Sequence, residues 1–302
     1  MDTLPTEYPK LEALTKEQLQ RLYVKNKFEL TRHVSASVGA EPQRYGGGDW
    51  IVQWHKAPPG SEVHNLLEHQ DVPDEHISTA INIVMHSLQN RQFSWVTGPG
   101  DQARLEHFLQ QKNFTVADEA ATMAIGLRPR EMTRYVQPPS GVTISDVNAL
   151  GVRTWVQTWA PQASQTGIGQ WTRTYYSMLK SLHRNQFSLF MAERNGDPVG
   201  TGFLHCFAGV ASVHAIHVLP EARGHGIGGA LTSYAMQKAA SLGYNVVTLT
   251  STASSARLFT SAGFHPFGYV KLNMWHSIRE AEREKQEKDK FLEAEEEGWC
   301  VV

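Results

Sequence analysis

The strongest chemical signal in the sequence is one run of seven residues, Arg223-Gly224-His225-Gly226-Ile227-Gly228-Gly229. Its glycines lack Cβ atoms, so a ligand can approach the backbone closely. A β-branched strand precedes the run and an amphipathic helix follows it, which leaves free N–H groups at the helix N-terminus. Because the helix dipole favours an anion there, the run predicts a phosphate-binding loop.

Three kinds of nucleotide site share this logic, and two of them fit poorly. A Walker A loop ends in Gly-Lys-Ser/Thr, whereas Gly228 is followed by Gly229-Ala230. The Rossmann fingerprint also needs an acidic residue about 20 positions after its glycines. No Asp or Glu occurs between Glu221 and Glu280. The bare glycine match is therefore weak support for a dinucleotide site.

The third kind fits best, because Arg223-x-x-Gly226-x-Gly228 resembles motif A of the GNAT acyltransferase superfamily, Arg/Gln-x-x-Gly-x-Gly/Ala. The hairpin signal Asn195-Gly196, the strand entry at Gly243-Tyr244 and the Gly263-Phe264 pair fall where that family has them. The resemblance covers about residues 140–275. The strand and helix patterns of the same part predict the element order β-α-α-β-β-β-α-β-α-β, which implies an α/β fold with a mixed sheet and helices on both faces.

The first half resembles the degenerate domain of two-domain GNAT proteins, through Trp95-Val96-Thr97-Gly98-Pro99 and Met123. It has no Arg-x-x-Gly-x-Gly loop, so a single acyl-CoA site is expected, in the second half. The predicted divisions are a bracing GNAT-like domain at 1–135, a catalytic GNAT domain at 136–278 and a charged helix or tail at 279–302. A faint echo between 103–123 and 256–274 fits either a tandem repeat or two ordinary helix–strand units.

The resemblance implies roles for the loop and for the strand before it. Backbone N–H groups of 224–229 would bind the CoA pyrophosphate, and the strand edge at Ile216, His217 and Val218 would pair with the pantetheine arm. One N–H of that edge would polarise the thioester carbonyl. Acetyl-CoA or another acyl-CoA is the expected co-substrate. Phe259 stands where the family often has a Tyr general acid, and its ring has no proton to donate.

The base that takes a proton from the acceptor is predicted on the strand before the loop. By family position the base of some members falls at Ser212, and His214 lies on the same strand face. An unperturbed histidine pKa of ~6.5 suits that work, so His214 is the predicted base and Ser212 its water-positioning partner. His205 and His217 are rivals, and a pocket or surface role for His214 is an equal alternative. No metal site is predicted.

The acceptor side is expected against the helices at 147–183. Four aromatic residues of that segment are the candidate substrate-binding wall: Trp155, Trp159, Trp171 and Tyr175. Ring faces attract cations, although aromatics at this spacing also suit a core.

Composition argues against nucleic-acid-binding, disulfide-rich and membrane proteins. The 302 residues are 41% apolar and carry a net charge of -2, which gives no basic nucleic-acid footprint. Two cysteines, Cys206 and Cys300, make no disulfide framework. Residues 1–10 show no basic segment followed by an apolar run, so we expect no secretory signal. No apolar run approaches ~18 residues either, so we expect a cytoplasmic protein without membrane or nucleic-acid partners.

The predicted function is N-acylation of a small-molecule amine by direct attack. The alternatives are a non-catalytic acyl-CoA-binding or regulatory protein, and another acyl-thioester reaction such as O-acylation or decarboxylation. The acceptor, the acyl chain length and the oligomeric state stay open at this point.

Overall fold

The computed structural model describes residues 8–40, 42–47, 50–55, 65–88, 93–100, 102–127 and 135–275. The predicted charged segment 279–302 lies outside them. The α-helices in these ranges are α1 (Lys16–Ser37), α2 (Asp74–Ser87), α3 (Ala103–Gln111), α4 (Val152–Trp159), α5 (Gln165–Ser181), α6 (Ile227–Ser241) and α7 (Ala256–Ser261).

Eleven strands in the described ranges form one sheet, in the order β1-β2-β3-β4-β11-β5-β10-β9-β8-β7-β6. The strands are β1 (Pro42–Gly47), β2 (Trp50–His55), β3 (Asn65–Gln70), β4 (Phe93–Thr97), β5 (Phe114–Gly126), β6 (Val142–Asp146), β7 (Phe187–Arg194), β8 (Asp197–Phe207), β9 (Val210–Val218), β10 (Val246–Ser251) and β11 (His265–Trp275). Most neighbours run antiparallel, whereas β3 with β4 and β9 with β10 are parallel. The predicted mixed α/β sheet is thus confirmed.

The two halves of the chain exchange strands at the centre of the sheet. β5 comes from the first half but lies between β10 and β11, and β11 comes from the second half but lies between β4 and β5. Each of the two follows a short helix, α3 or α7, so the two helix–strand units occupy matching places. This match agrees with the sequence echo between 103–123 and 256–274, and it joins the halves through continuous backbone hydrogen bonds.

The second half has the predicted element order, from β6 through α4, α5, β7, β8, β9, α6, β10 and α7 to β11. The turn between β7 and β8 forms at Asn195 and Gly196, both with positive φ (54° and 91°). Two such residues are what a tight hairpin turn of this kind requires. The antiparallel hairpin predicted from Asn-Gly is therefore confirmed.

Apolar side chains of the second half separate onto the two faces of the sheet, because successive strand residues point to opposite sides. Phe190, Leu204 and Val213 pack with α6 on one face. Leu189 and Phe203 pack with α4 and α5 on the other face.

Helix α1 begins at a capping box. The hydroxyl of Thr15 accepts from the Gln18 backbone N–H, and the Gln18 side chain accepts from the Thr15 N–H. From there α1 runs beside α5, β8, β9 and β11, so it brings first-half side chains to the second-half strands. In the described ranges, no helix combines the length and apolar character needed to cross a membrane.

Candidate active site

The sheet opens between β9 and β10. Parallel pairing joins Val247 to Ala211, Thr248 to Ser212 and Leu249 to Val213, and then stops. Beyond that point the strands diverge, so β9 has no strand partner on this side among the described residues. A register shift opposite Thr201 and Phe203 of β8 adds an extra residue to β9. The result is a free strand edge from His214 to Val218.

A cavity of about 780 Å³ lies between the diverging strands β9 and β10, and we call it the β9 cleft. Its lining residues are Val213, His214, Ala215, Ile216, His217, Val218, Ala222, Arg223, Gly224, Gly226, Ile227, Gly228, Gly229, Thr250, Thr252, Ser254, Ser255, Leu258 and Phe259. Every predicted CoA-binding residue except His225 is in this set. The sequence motif and the free strand edge therefore face one cavity.

The glycine loop ends the β9 cleft with the N-terminus of α6. Gly226 caps the helix in the left-handed region, with φ 80° and ψ 0°. The first intrahelical bond runs from the Ala230 N–H to the Gly226 carbonyl, 3.0 Å, so the N–H groups of 227–229 precede it. Gly224 also has positive φ (79°), and a Cβ added there would meet nothing within 4 Å. This arrangement suits an anion.

Two side chains hold the loop in shape from outside. The Arg223 guanidinium donates from Nε to the Val218 carbonyl, 3.0 Å, and its side chain is exposed. His225 donates from Nδ1 to the Arg223 carbonyl, 2.8 Å. His225 therefore braces the loop and does not line the β9 cleft.

The β9 cleft holds one buried polar atom that lacks a partner in the described part of the chain, Nε2 of His217. Burial lowers the pKa of His217, and the neighbouring Arg223 charge lowers it further. A neutral imidazole nitrogen of this kind needs a hydrogen-bond partner. A ligand with amide groups along the β9 edge would supply one, so the residues present fit a pantetheine chain.

His214 begins a hydrogen-bond chain that leads away from the β9 cleft. Its Nε2 lies 2.8 Å from the Ser212 hydroxyl oxygen. Ser212 in turn donates to Oδ1 of Asn26, 2.6 Å. Nδ1 of His205 lies 3.1 Å from the same Oδ1. The exposed fractions are 2% for Ser212, 1% for His205 and 1% for Asn26. This hydrogen-bond chain is therefore buried behind His214.

The donors in this chain fix the tautomer of His214. The Asn26 amide nitrogen donates to the carbonyls of Phe207 (3.1 Å) and Val210 (3.0 Å), which orients Oδ1 as an acceptor. Ser212 Oγ faces two acceptor oxygens, Asn26 Oδ1 at 2.6 Å and the His205 carbonyl at 3.1 Å, and its single proton goes to one of them. Ser212 Oγ can then only accept from His214, so Nε2 carries the proton. Nδ1 of His214 keeps its lone pair and makes no hydrogen bond to a described residue.

Burial determines the protonation states of the two histidines in this hydrogen-bond chain. It lowers the pKa of His214 well below its usual value, and the charge of Lys27 lowers it further. It lowers the pKa of His205 to about 3, with a smaller contribution from His33. Both imidazoles are thus neutral near pH 7. The His214 ring stacks on Phe203 at 4.7 Å between centroids, which holds its plane.

A second cavity of about 370 Å³, the α1 cavity, lies on the first-half side of His214. Its lining residues are Tyr23, Val24, Lys27, Phe28, His69, Val96, Gly98, Asp118, Ala120, Val213, His214, Ala215, Thr250, Val270, Lys271 and Leu272. Val213, His214, Ala215 and Thr250 line both cavities. The Tyr23 hydroxyl meets Thr250 Oγ1 at 2.7 Å, at this shared boundary. Two ligands bound in the two cavities would meet at His214.

The predicted aromatic wall occupies a different place. Trp155 is fully buried and donates from Nε1 to the carbonyls of Phe190 (3.0 Å) and Gly202 (3.2 Å). Tyr175 is 4% exposed, and Trp159 and Trp171 pack at the edge of the same core cluster. None of the four lines the β9 cleft or the α1 cavity. Their rings stabilise the contact of α4 and α5 with the sheet.

Sequence reasoning missed the contribution of α1. Tyr23, Asn26 and Lys27 lie four or fewer positions apart on this helix, and all three reach the neighbourhood of His214. One local signal was available, because a buried-face asparagine inside a long amphipathic helix costs helix propensity. Nothing in the sequence says that its partner is Ser212.

Comparison with known proteins agrees with this geometry. Residues 152–264 match the acetyltransferase (GNAT) family. An uncharacterised N-acetyltransferase of Methanocaldococcus jannaschii is 36% identical over 89 residues. The aligned part covers 26% of this chain and 38% of that relative, so the chain spans well under half of the relative's length.

Solved structures share the fold over most of the chain. A GCN5-related N-acetyltransferase from Kribbella flavida has a TM-score of 0.60 at 16% identity, over 85% of this chain and 96% of that one. A tandem GNAT protein from the clavulanic acid biosynthesis pathway has a TM-score of 0.59 at 12% identity, over 85% and 93%. At these identities the likeness concerns the fold alone. Over residues 152–264 the chain is thus similar to the GNAT acetyltransferase family, and over most of its length it shares the fold of these two structures.

Proposed function

We propose that the chain transfers an acyl group, with acetyl as the first candidate, from CoA to the amine of a small molecule. One observation carries the proposal: the free edge of β9 and the glycine loop at the N-terminus of α6 open into the same cleft. An extended thioester arm suits a free strand edge. A pyrophosphate suits a helix N-terminus.

In this proposal, backbone groups hold the acyl donor. The N–H groups at 227–229 take the pyrophosphate, and the 216–218 edge takes the pantetheine amides. His217 Nε2, which is buried without a described partner, gains one from the same arm. An N–H of β9 beside the extra residue at Ala215, whose φ is 52°, polarises the thioester carbonyl.

In the same proposal, His214 accepts a proton from the acceptor amine. The amine enters through the α1 cavity, and its nitrogen forms a bond to the acyl carbon while the carbon–sulfur bond breaks. The amine proton passes to Nδ1 of His214, which the Ser212 contact leaves unprotonated. The sulfur leaves with the bonding electron pair. Phe259 lines the cleft without a proton to give, but a thiol pKa of ~8.5 makes the thiolate a tolerable leaving group.

The test places a glutamate at each of two glycines that have similar backbone conformations. Gly224 and Gly39 both have positive φ (79° and 73°), and a Cβ at either meets nothing within 4 Å. A glutamate at either position therefore brings similar backbone strain, but only Gly224→Glu puts a carboxylate into the loop. We expect Gly224→Glu to weaken acetyl-CoA binding at least ~30-fold by charge repulsion and steric blockage, while Gly39→Glu leaves it unchanged in calorimetric titration.

Turnover is then measured over a panel of primary amines. Wild-type protein that does not bind acetyl-CoA, or binds it equally well with Gly224→Glu, overturns the proposed donor site. Binding without turnover of any amine favours a non-catalytic acyl-CoA-binding protein. Mass analysis of products separates N-acylation from O-acylation or decarboxylation.

A further inference from the structure

The α1 cavity contains an ammonium group that pairs with no carboxylate in the described part of the chain. Lys27 lies on α1, is partly buried and lines the cavity. Among the ranges that the structure describes, no carboxylate lies within ion-pairing distance of it. Lys271, the other lysine of this lining, is already neutralised by Glu106, whose carboxylate oxygen is 2.7 Å from Nζ.

The other titratable groups of the lining do not neutralise Lys27. His69 is buried and neutral, because burial lowers its pKa, and both ring nitrogens are engaged by Gln102 (2.9 Å) and Trp95 (3.1 Å). Asp118 is exposed to solvent, so water screens its charge. His214 is neutral as well, and the Lys27 charge acts directly on it. Lys27 is therefore the lysine of this lining that no described carboxylate pairs with.

The rest of the wall is apolar. Val24, Phe28, Val96, Val213, Val270 and Leu272 line it. An apolar wall strengthens a charge interaction by excluding water, and a volume of about 370 Å³ admits only a small ligand. A positive charge in such a cavity, next to the proposed base, selects ligands that carry an anion.

We propose that the acceptor is a small amine that also carries a carboxylate, as an amino acid does, and that Lys27 binds this carboxylate while the amine nitrogen lies at His214. The proposal rests on the acyl transfer proposed above. An acceptor carboxylate would also offset the Lys27 charge felt by His214, which makes the imidazole a better proton acceptor once the acceptor is bound. Lys27 is thus a specificity-determining residue.

The experiment compares matched pairs in which an amide replaces the carboxylate: glycine with glycinamide, leucine with leucinamide, and phenylalanine with phenylalaninamide. Binding to the full-length protein is followed by NMR titration at pH 7, with and without saturating acetyl-CoA. We expect at least one carboxylate to bind about 10- to 100-fold more tightly than its amide, the range for a charge-assisted contact. In Lys27→Met this preference disappears, and Lys27→Arg keeps most of it.

Lys25→Met is the matched control, because Lys25 lies on the same helix but is exposed and lines neither cavity. It should keep the wild-type preference, and all three variants should bind acetyl-CoA normally. The proposal is overturned if carboxylates and amides bind wild type equally, undetectable binding of both included, or if Lys27→Met keeps the preference. Because binding is also read without acetyl-CoA, a failure of the acyl-CoA site shows separately in the acetyl-CoA titration.

Discussion

At the scale of single residues, the proposed chemistry depends on which nitrogen of His214 carries the proton. Asn26 uses its amide N–H groups on backbone carbonyls, so Ser212 gives its proton to Asn26 Oδ1 or to the His205 carbonyl. In both cases Ser212 accepts from His214. In ¹⁵N NMR spectra we expect His214 as the Nε2–H tautomer. In Ser212→Ala this preference weakens, and kcat falls about 10-fold, the cost of losing one hydrogen bond.

Ser188→Ala is the control for this prediction, since Ser188 is also buried but takes no part in the hydrogen bonds that join His214, Ser212 and Asn26. It should change neither the tautomer nor kcat. His214→Gln removes the proposed base and should lower kcat by ~10²–10⁴, with acetyl-CoA affinity unchanged. An Nδ1–H tautomer in the wild type, or full activity in His214→Gln, contradicts the assignment of Nδ1 as the base.

The same residues show what a sequence can and cannot reveal about a site. The glycine loop is recognisable because strand, glycines and helix follow one another within a few positions. The contact between Asn26 and Ser212 spans 186 positions, and no local pattern specifies such a partner. Trp155 and its neighbours illustrate the opposite difficulty, since an aromatic cluster has the same sequence pattern in a core as in a pocket wall.

At the scale of elements, the exchanged strands govern which part of the chain can fold alone. The second half lacks a strand of its own between β10 and β11, and β5 fills that place. The helix and strand patterns predict each element but not this exchange, because periodicity carries no information on which half a strand pairs with. The domain boundary predicted near residue 135 stays a prediction. The exchanged strands suggest a test, which is whether the second half folds without β5.

Residues 136–275 expressed alone should not form a stable monomer, because β10 and β11 would each expose an unpaired edge. By contrast, the full chain cut at a protease site inserted between 128 and 134 should stay associated through β5 and keep its acetyl-CoA affinity. Size-exclusion chromatography and thermal unfolding measure both. A monomeric 136–275 fragment that unfolds cooperatively and binds acetyl-CoA like the whole chain would show that β5 is dispensable.

At the scale of the whole molecule, buried neutral histidines make stability depend on pH. Burial lowers the pKa values of His69, His205 and His214 in the folded protein. Between pH 6.5 and 5 the unfolded chain therefore binds protons that the folded chain does not, so unfolding becomes more favourable as the pH falls. Burial raises the pKa of Glu29, but hydrogen bonds from His33 and Arg32 outweigh it and lower this pKa to about 2. Glu29 therefore adds a loss of stability only below about pH 4.5.

The window from pH 6.5 to 5 thus isolates the histidines. The free energy of unfolding, measured with urea at several pH values, should fall there by at most ~1.4 kcal/mol per pH unit for each buried histidine. His205→Gln should be less stable at pH 7, because its contact with Asn26 is altered, but its stability should fall less steeply with pH since one titrating group is gone. His183→Gln, at an exposed position, should keep the wild-type slope. Equal slopes of unfolding free energy against pH in all three proteins would mean that the fold does not hold His205 neutral. The hydrogen-bond chain from His205 through Asn26 and Ser212 to His214 would then need a different protonation pattern.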